Sequence, residues 1–117
     1  MGFEGFPRKL RYTPVPNQIF GSLLADIDDL VEMKCILRFL WMLHQKKGFP
    51  RTVSLAEFFS DPVLAKAVRG SSDTLESKIS HALSKAVDRG VLLSAHTDYD
   101  GTEDTVYLLN TEPDRKA

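Results

Sequence analysis

Lys78, His81, Lys85 and Arg89 recur at intervals of three and four residues, with Ser77 just before the first and Ser84 just before the third. On a helix these six side chains share one polar face. Such a face suits contact with nucleic acid: lysine and arginine neutralise phosphates, while serine and histidine add short hydrogen bonds to backbone or base edges. Arg51 supplies a further candidate cation earlier in the chain. The local balance is thin, because Lys78, Lys85 and Arg89 are offset by Glu76 and Asp88. On these residues alone, a DNA-contacting face and a plain solvated face are both open.

Other chemistries find less support. His44, His81 and His96 do not fall at metal-ligand spacings, and the single cysteine, Cys35, completes no zinc set. There is no phosphate-binding glycine loop, no nucleophile elbow and no His-Glu-x-x-His. The expectation is therefore a non-enzymatic protein with no metal and no cofactor. Asp98, Asp100, Glu103 and Asp104 place four carboxylates within seven residues. Beside phosphate they would be repelled. They read as a solvated loop, or more weakly as a calcium loop that lacks the EF-hand spacing and its distal glutamate.

The bulk numbers agree. A length of 117 residues fits one domain, and a formal net charge of −1 provides no global attraction to nucleic acid. One cysteine in an apolar run fits a reduced compartment. No signal-peptide core and no apolar run of about 20 residues is found, so a cytoplasmic protein without membrane contact is expected.

The elements that would position the polar face follow from periodicity and capping. Residues 1–16, with Pro7, Pro14, Pro16 and the cations Arg8, Lys9 and Arg11, read as an extended arm with a short strand near 10–13. Helices are expected at 17–25, 30–47, 55–69 with a break near Asp61, and 74–89. Capping boxes are proposed at Asp29/Glu32, Ser54/Glu57 and Asp73/Glu76, with Gly48, Gly70 and Gly90 as stops. A first strand is expected at Phe49–Val53. Runs 91–96 and 105–109 then form a hairpin around the polar tip 98–104. The domain spans 17–110, and 111–117 reads as a linker or frayed tail, leaving open a longer protein beyond it.

The 30–47 helix carries two apolar stripes. Leu30, Met33, Leu37, Leu40 and Trp41 are assigned to the core, and Val31, Cys35, Phe39 and Met42 to a candidate homo-oligomer interface. The fold class is α+β: a winged helix-turn-helix, mostly helical, with a C-terminal β-hairpin wing.

Three segments occur in a familiar order: Val15-Pro16-Asn17-Gln18-Ile19-Phe20, Leu40-Trp41-Met42-Leu43-His44 and Thr52-Val53-Ser54-Leu55-Ala56-Glu57-Phe58. With the run from Ile79 to Leu92, the chain resembles the N-terminal winged helix domain of DnaD-type replication initiation proteins over about residues 12–110. It is also similar to phage replisome-organiser N-terminal domains. The resemblance implies a primosome component that forms dimers or larger oligomers and meets other replication proteins. It lacks the Tyr-x-x-x-Ile-x-x-x-Trp motif that the family's separate C-terminal domain uses on DNA. The stretch 60–72 is also longer than the family's usual turn. Contact with double-stranded DNA is thus expected to be weak or indirect. Two rival readings stay open: a sequence-specific transcriptional regulator reading DNA through Lys78, His81 and Lys85, and a winged helix that binds only protein.

Overall fold

The computed structural model describes residues 2–68, 74–99 and 101–116. The segment expected as one helix over 17–25 is two, α1 (Asn17–Phe20) and α2 (Ser22–Asp26), because Gly21 leaves helical geometry at φ −104°, ψ −118°. The strand expected near 10–13 is not formed.

Helix α3 (Leu30–His44) starts where the Asp29 carboxylate accepts hydrogen bonds from the Val31 and Glu32 amides at 2.9 and 3.3 Å. The reciprocal half of that capping box is absent, since the Glu32 side chain turns inward to Arg89. The helix also stops earlier than the expected 47, with Gln45 as its C-cap. Lys46 lies beyond it and pairs with Glu57.

Strand β1 is two residues, Val53–Ser54, against the expected 49–53. Ser54 then caps α4 (Leu55–Phe59) in a complete capping box with Glu57. Asp61 caps α5 (Pro62–Ala67), with Pro62 in the first turn where its missing amide is harmless. The expected stop at Gly70 and the side chain of Asp73 lie outside the described residues. The cap of the next helix, α6 (Leu75–Arg89), is Thr74, whose hydroxyl accepts from the Ser77 amide. Gly90 ends α6 at φ 91°, a left-handed conformation that glycine adopts without a Cβ penalty.

Strands β2 (Leu92–Tyr99) and β3 (Thr102–Leu109) pair antiparallel in unbroken register from Leu92↔Leu109 to Tyr99↔Thr102. The tip expected at 98–104 is thus mostly strand. Antiparallel pairing of β1 with β3 gives a three-stranded sheet in the order β1-β3-β2. A helical turn, α7 (Glu112–Lys116), follows the hairpin, with the Thr111 hydroxyl accepting from the Asp114 amide. The architecture is α+β, and the hairpin is not its last element. No helix among the described residues is long and apolar enough to cross a membrane.

The core gathers where α3, α4, α6 and one face of the sheet meet. Phe58 lies at its centre, stacked on Phe39 at 6.2 Å and edge-on to Tyr107 at 5.7 Å. Here the assignment of the two α3 stripes is overturned in part: Leu40 is in the core and Met33 packs against it, as expected, but the other stripe is also buried. Cys35 and Phe39 are fully enclosed and Met42 nearly so, with Val31 packed partly against them. Cys35, Phe39 and Met42 cannot face a second copy. Leu30, Leu37 and Trp41, expected in the core, are 67%, 44% and 42% exposed. Burial pushes the Cys35 thiol up to about 12, with the nearby Asp29 and Glu32 charges adding to the shift.

Candidate interaction face of helix α6

Helix α6 buries Ile79, Ala82, Leu83 and Ala86, which fixes the orientation of everything else on it. Ser77, His81, Ser84 and Asp88 point outward and are exposed. The three cations proposed for phosphate contact lie on the flanks instead, half-buried, and each has a partner inside the molecule.

Arg89 forms a bidentate pair with Glu32, donating from Nε at 2.8 Å and from Nη2 at 2.9 Å. Glu32 is fully buried, so this pair joins the end of α6 to the start of α3. The bonds to Glu32 raise the Arg89 pKa further. One turn earlier, Lys85 Nζ donates to Asp29 Oδ2 at 2.8 Å, on the carboxylate that caps α3. The Lys85 hydrogen bond is the main reason the Asp29 carboxyl sits below its ordinary range, and Asp29 in turn raises Lys85. Lys78 Nζ donates to the Val68 carbonyl at 2.6 Å, while Lys34 Nζ donates to Ala67 O at 2.8 Å. Both lysines thus satisfy carbonyls at the C-terminal end of α5.

Asp61 completes the set of internal pairs. Burial pushes its carboxyl up, but hydrogen bonds from Arg38 at 2.8 and 3.0 Å and from the Leu64 amide outweigh this and leave it lowered. Arg38 also lies over the Trp41 ring at 3.9 Å, where the cation meets the ring's negative face. Since the folded values of Asp29 and Asp61 fall below the unfolded ones, their contribution exists above the unfolded carboxylate range and is lost in acid. The denaturant midpoint is expected to be flat from about pH 5.5 to 8 and to fall below about pH 4. Asp29→Asn should flatten that fall, as an acid titration of the midpoint would show.

Asp29, Val31, Ser77, Lys78 and His81 line a surface depression of about 340 Å³ between α6 and the start of α3. Asp29 is charge-paired with Lys85 there, while Lys78 is held by the Val68 carbonyl and keeps its charge. Arg51 does not join it. That residue sits at the other end of α3, donating to Leu43 O at 3.5 Å. The intervening helix separates Arg51 from Asp29 by about 20 Å. Thr97↔Asp104 and Asp98↔Glu103 face one another on the hairpin, so its end carries opposed carboxylates. No metal-holding group of acidic, histidine or cysteine side chains occurs among the described residues.

The internal pairs were missed in the sequence although their signal is present. Asp29 and Glu32 are one helical turn apart, as are Lys85 and Arg89, which makes two matching rungs of opposite charge. No known family profile, curated protein or solved structure matches the chain.

Proposed function

We propose that the chain is a non-enzymatic winged-helix assembly module whose contact with DNA is weak or indirect. The element order α3-β1-α4/α5-α6-β2-β3, with sheet order β1-β3-β2, supports the winged-helix reading, in which α6 takes the recognition-helix position and β2-β3 the wing. The observation that carries the proposal is the state of the α6 cations: Lys78, Lys85 and Arg89 are all engaged within the chain. Phosphate neutralisation supplies most non-specific affinity for DNA, and here each cation would have to abandon an internal partner to provide it. The acidic hairpin end weakens a grip on backbone further. The DnaD-type resemblance adds the setting: a DNA replication initiation assembly, with other replication proteins as partners.

Fluorescence anisotropy with labelled duplex DNA tests the DNA half of this reading. Binding is expected to be no tighter than about 10 µM near physiological salt, with a shallow salt slope. Ser77→Glu with His81→Glu, both at exposed positions, should change it less than about twofold. Nanomolar binding with a steep salt slope, abolished by those two substitutions, would overturn the proposal in favour of a DNA-reading regulator.

A further inference from the structure

The stretch before Val15 carries apolar and basic side chains that the rest of the molecule does not use. Every residue over positions 2–12 is exposed, and the chain first packs against the core at Val15. Yet this stretch is not composed like a solvated terminus. Phe3, Phe6 and Tyr12 are 73%, 78% and 77% exposed, and Leu10 adds a branched aliphatic side chain. Gly5 takes a left-handed φ of 103°, and the rings of Phe3 and Phe6 meet edge to face at 4.8 Å. The two rings thus form one apolar wedge outside the core.

Arg8, Lys9 and Arg11 lie in the same stretch, against the single acid Glu4. Among the described residues, none of these three cations forms an ion pair. Elsewhere the cations are mostly engaged: Arg38, Lys85 and Arg89 by carboxylates, Lys34 and Lys78 by backbone carbonyls. Unpaired positive charge therefore gathers in the arm, although the formal net charge of the whole chain is −1.

We propose that residues 2–12 dock the protein on an anionic membrane surface, with Phe3 and Phe6 entering the boundary between headgroups and acyl chains and Arg8, Lys9 and Arg11 beside lipid phosphates. Interfacial binding draws on both terms at once, apolar side chains that leave water and cations that meet anionic headgroups. A segment lying in the interface needs none of the length that spanning requires. Single-stranded nucleic acid is the other polyanion that cations and aromatic rings hold together, but it calls for ring faces open to stacked bases. Here the two phenylalanines are taken up with each other edge to face, and aliphatic Leu10 offers no ring. Both features favour lipid. The arm carries this association by itself, so it stands whatever α6 does with duplex DNA.

Co-sedimentation of the full chain with vesicles tests it. At about 0.1 M salt, phosphatidylcholine vesicles containing about 40% phosphatidylglycerol should retain the protein, and pure phosphatidylcholine should bind it at least about tenfold less. Raising the salt to about 0.5 M should release it, because charge attraction is then screened. Phe3→Ser with Phe6→Ser, and separately Arg8→Glu with Lys9→Glu and Arg11→Glu, should each weaken partitioning at least about tenfold. All five positions are exposed, so both variants should keep the thermal midpoint within about 2 °C of wild type. Three results would each overturn the proposal: no retention on the anionic vesicles, retention that survives loss of both phenylalanines, or displacement from the vesicles by oligothymidylate at equal phosphate concentration. The last would assign the arm to single-stranded nucleic acid instead.

Discussion

Arg89→Met is expected to lower the thermal unfolding midpoint by about 10–15 °C, the larger of the effects that charge can have in this fold. The reason lies with its partner. Glu32 is fully buried, and the Arg89 guanidinium supplies both of its side-chain hydrogen bonds. Removing the arginine strands a carboxylate in the core, whereas removing both groups does not. Glu32→Met together with Arg89→Met should therefore recover most of the loss, since methionine fills comparable volume and adapts its shape. The two single losses will sum to more than the double. Additive losses would mean that Arg89 acts through packing of its aliphatic stem alone. The same comparison bears on function, because a stable double variant frees α6 of its strongest internal pair without adding a cation to its surface.

That pair also marks the limit of what the sequence discloses. Capping chemistry is local, and the caps at Asp29, Ser54 and Asp61 are legible because each acts within two or three residues. The α6 apolar face is legible for a related reason: Ile79, Ala82, Leu83 and Ala86 keep helical period while their neighbours are polar. Helix α3 offers no such contrast. Its apolar residues surround the axis, and which stripe turns inward is decided by elements far along the chain, chiefly α6 and the sheet. The buried stripe follows Cys35 and Phe39, while Leu37 and Trp41 remain partly outside. Charge on α6 misleads in the same way. A lysine at a helix flank reads as solvent-facing until a carboxylate fifty-six positions away comes within 2.8 Å. The candidate interface on α6 is thus legible as a face but not as a charge distribution.

The α6 cations are tied inside the molecule, Lys85 and Arg89 by carboxylates and Lys78 by the uncharged Val68 carbonyl. A helix can present Ser77, His81 and Ser84 outward and still carry little net attraction for phosphate, because its flanking charges are used to fix α3 and α5. Those contacts stabilise the orientation of α6 against its neighbours.

Phe58→Ala is expected to cost about 3–5 kcal/mol, because a fully buried aromatic ring leaves a cavity that its neighbours fill only in part. Phe58 is the point where three layers touch: Phe39 of α3 stacks on one side of it, Tyr107 of β3 meets it edge-on, and α4 carries it. Within a total stability of about 5–15 kcal/mol, such a loss is a large share, so the variant should unfold at much lower denaturant concentration. Phe58→Leu keeps most of the volume and loses the ring contacts, so it should cost distinctly less. The position of β3 gives the substitution a second consequence. That strand is the centre of the sheet, and Tyr107 is its inward anchor beside Val53. Loosening Tyr107 should therefore free the hairpin before the α3–α6 pair, which is tied separately through Glu32 and Arg89. Amide hydrogen exchange in Phe58→Leu should show β2 and β3 losing protection by a larger factor than the middle of α3. Equal loss in both places would mean that sheet and helices unfold as one cooperative unit, with Phe58 serving only to fill space.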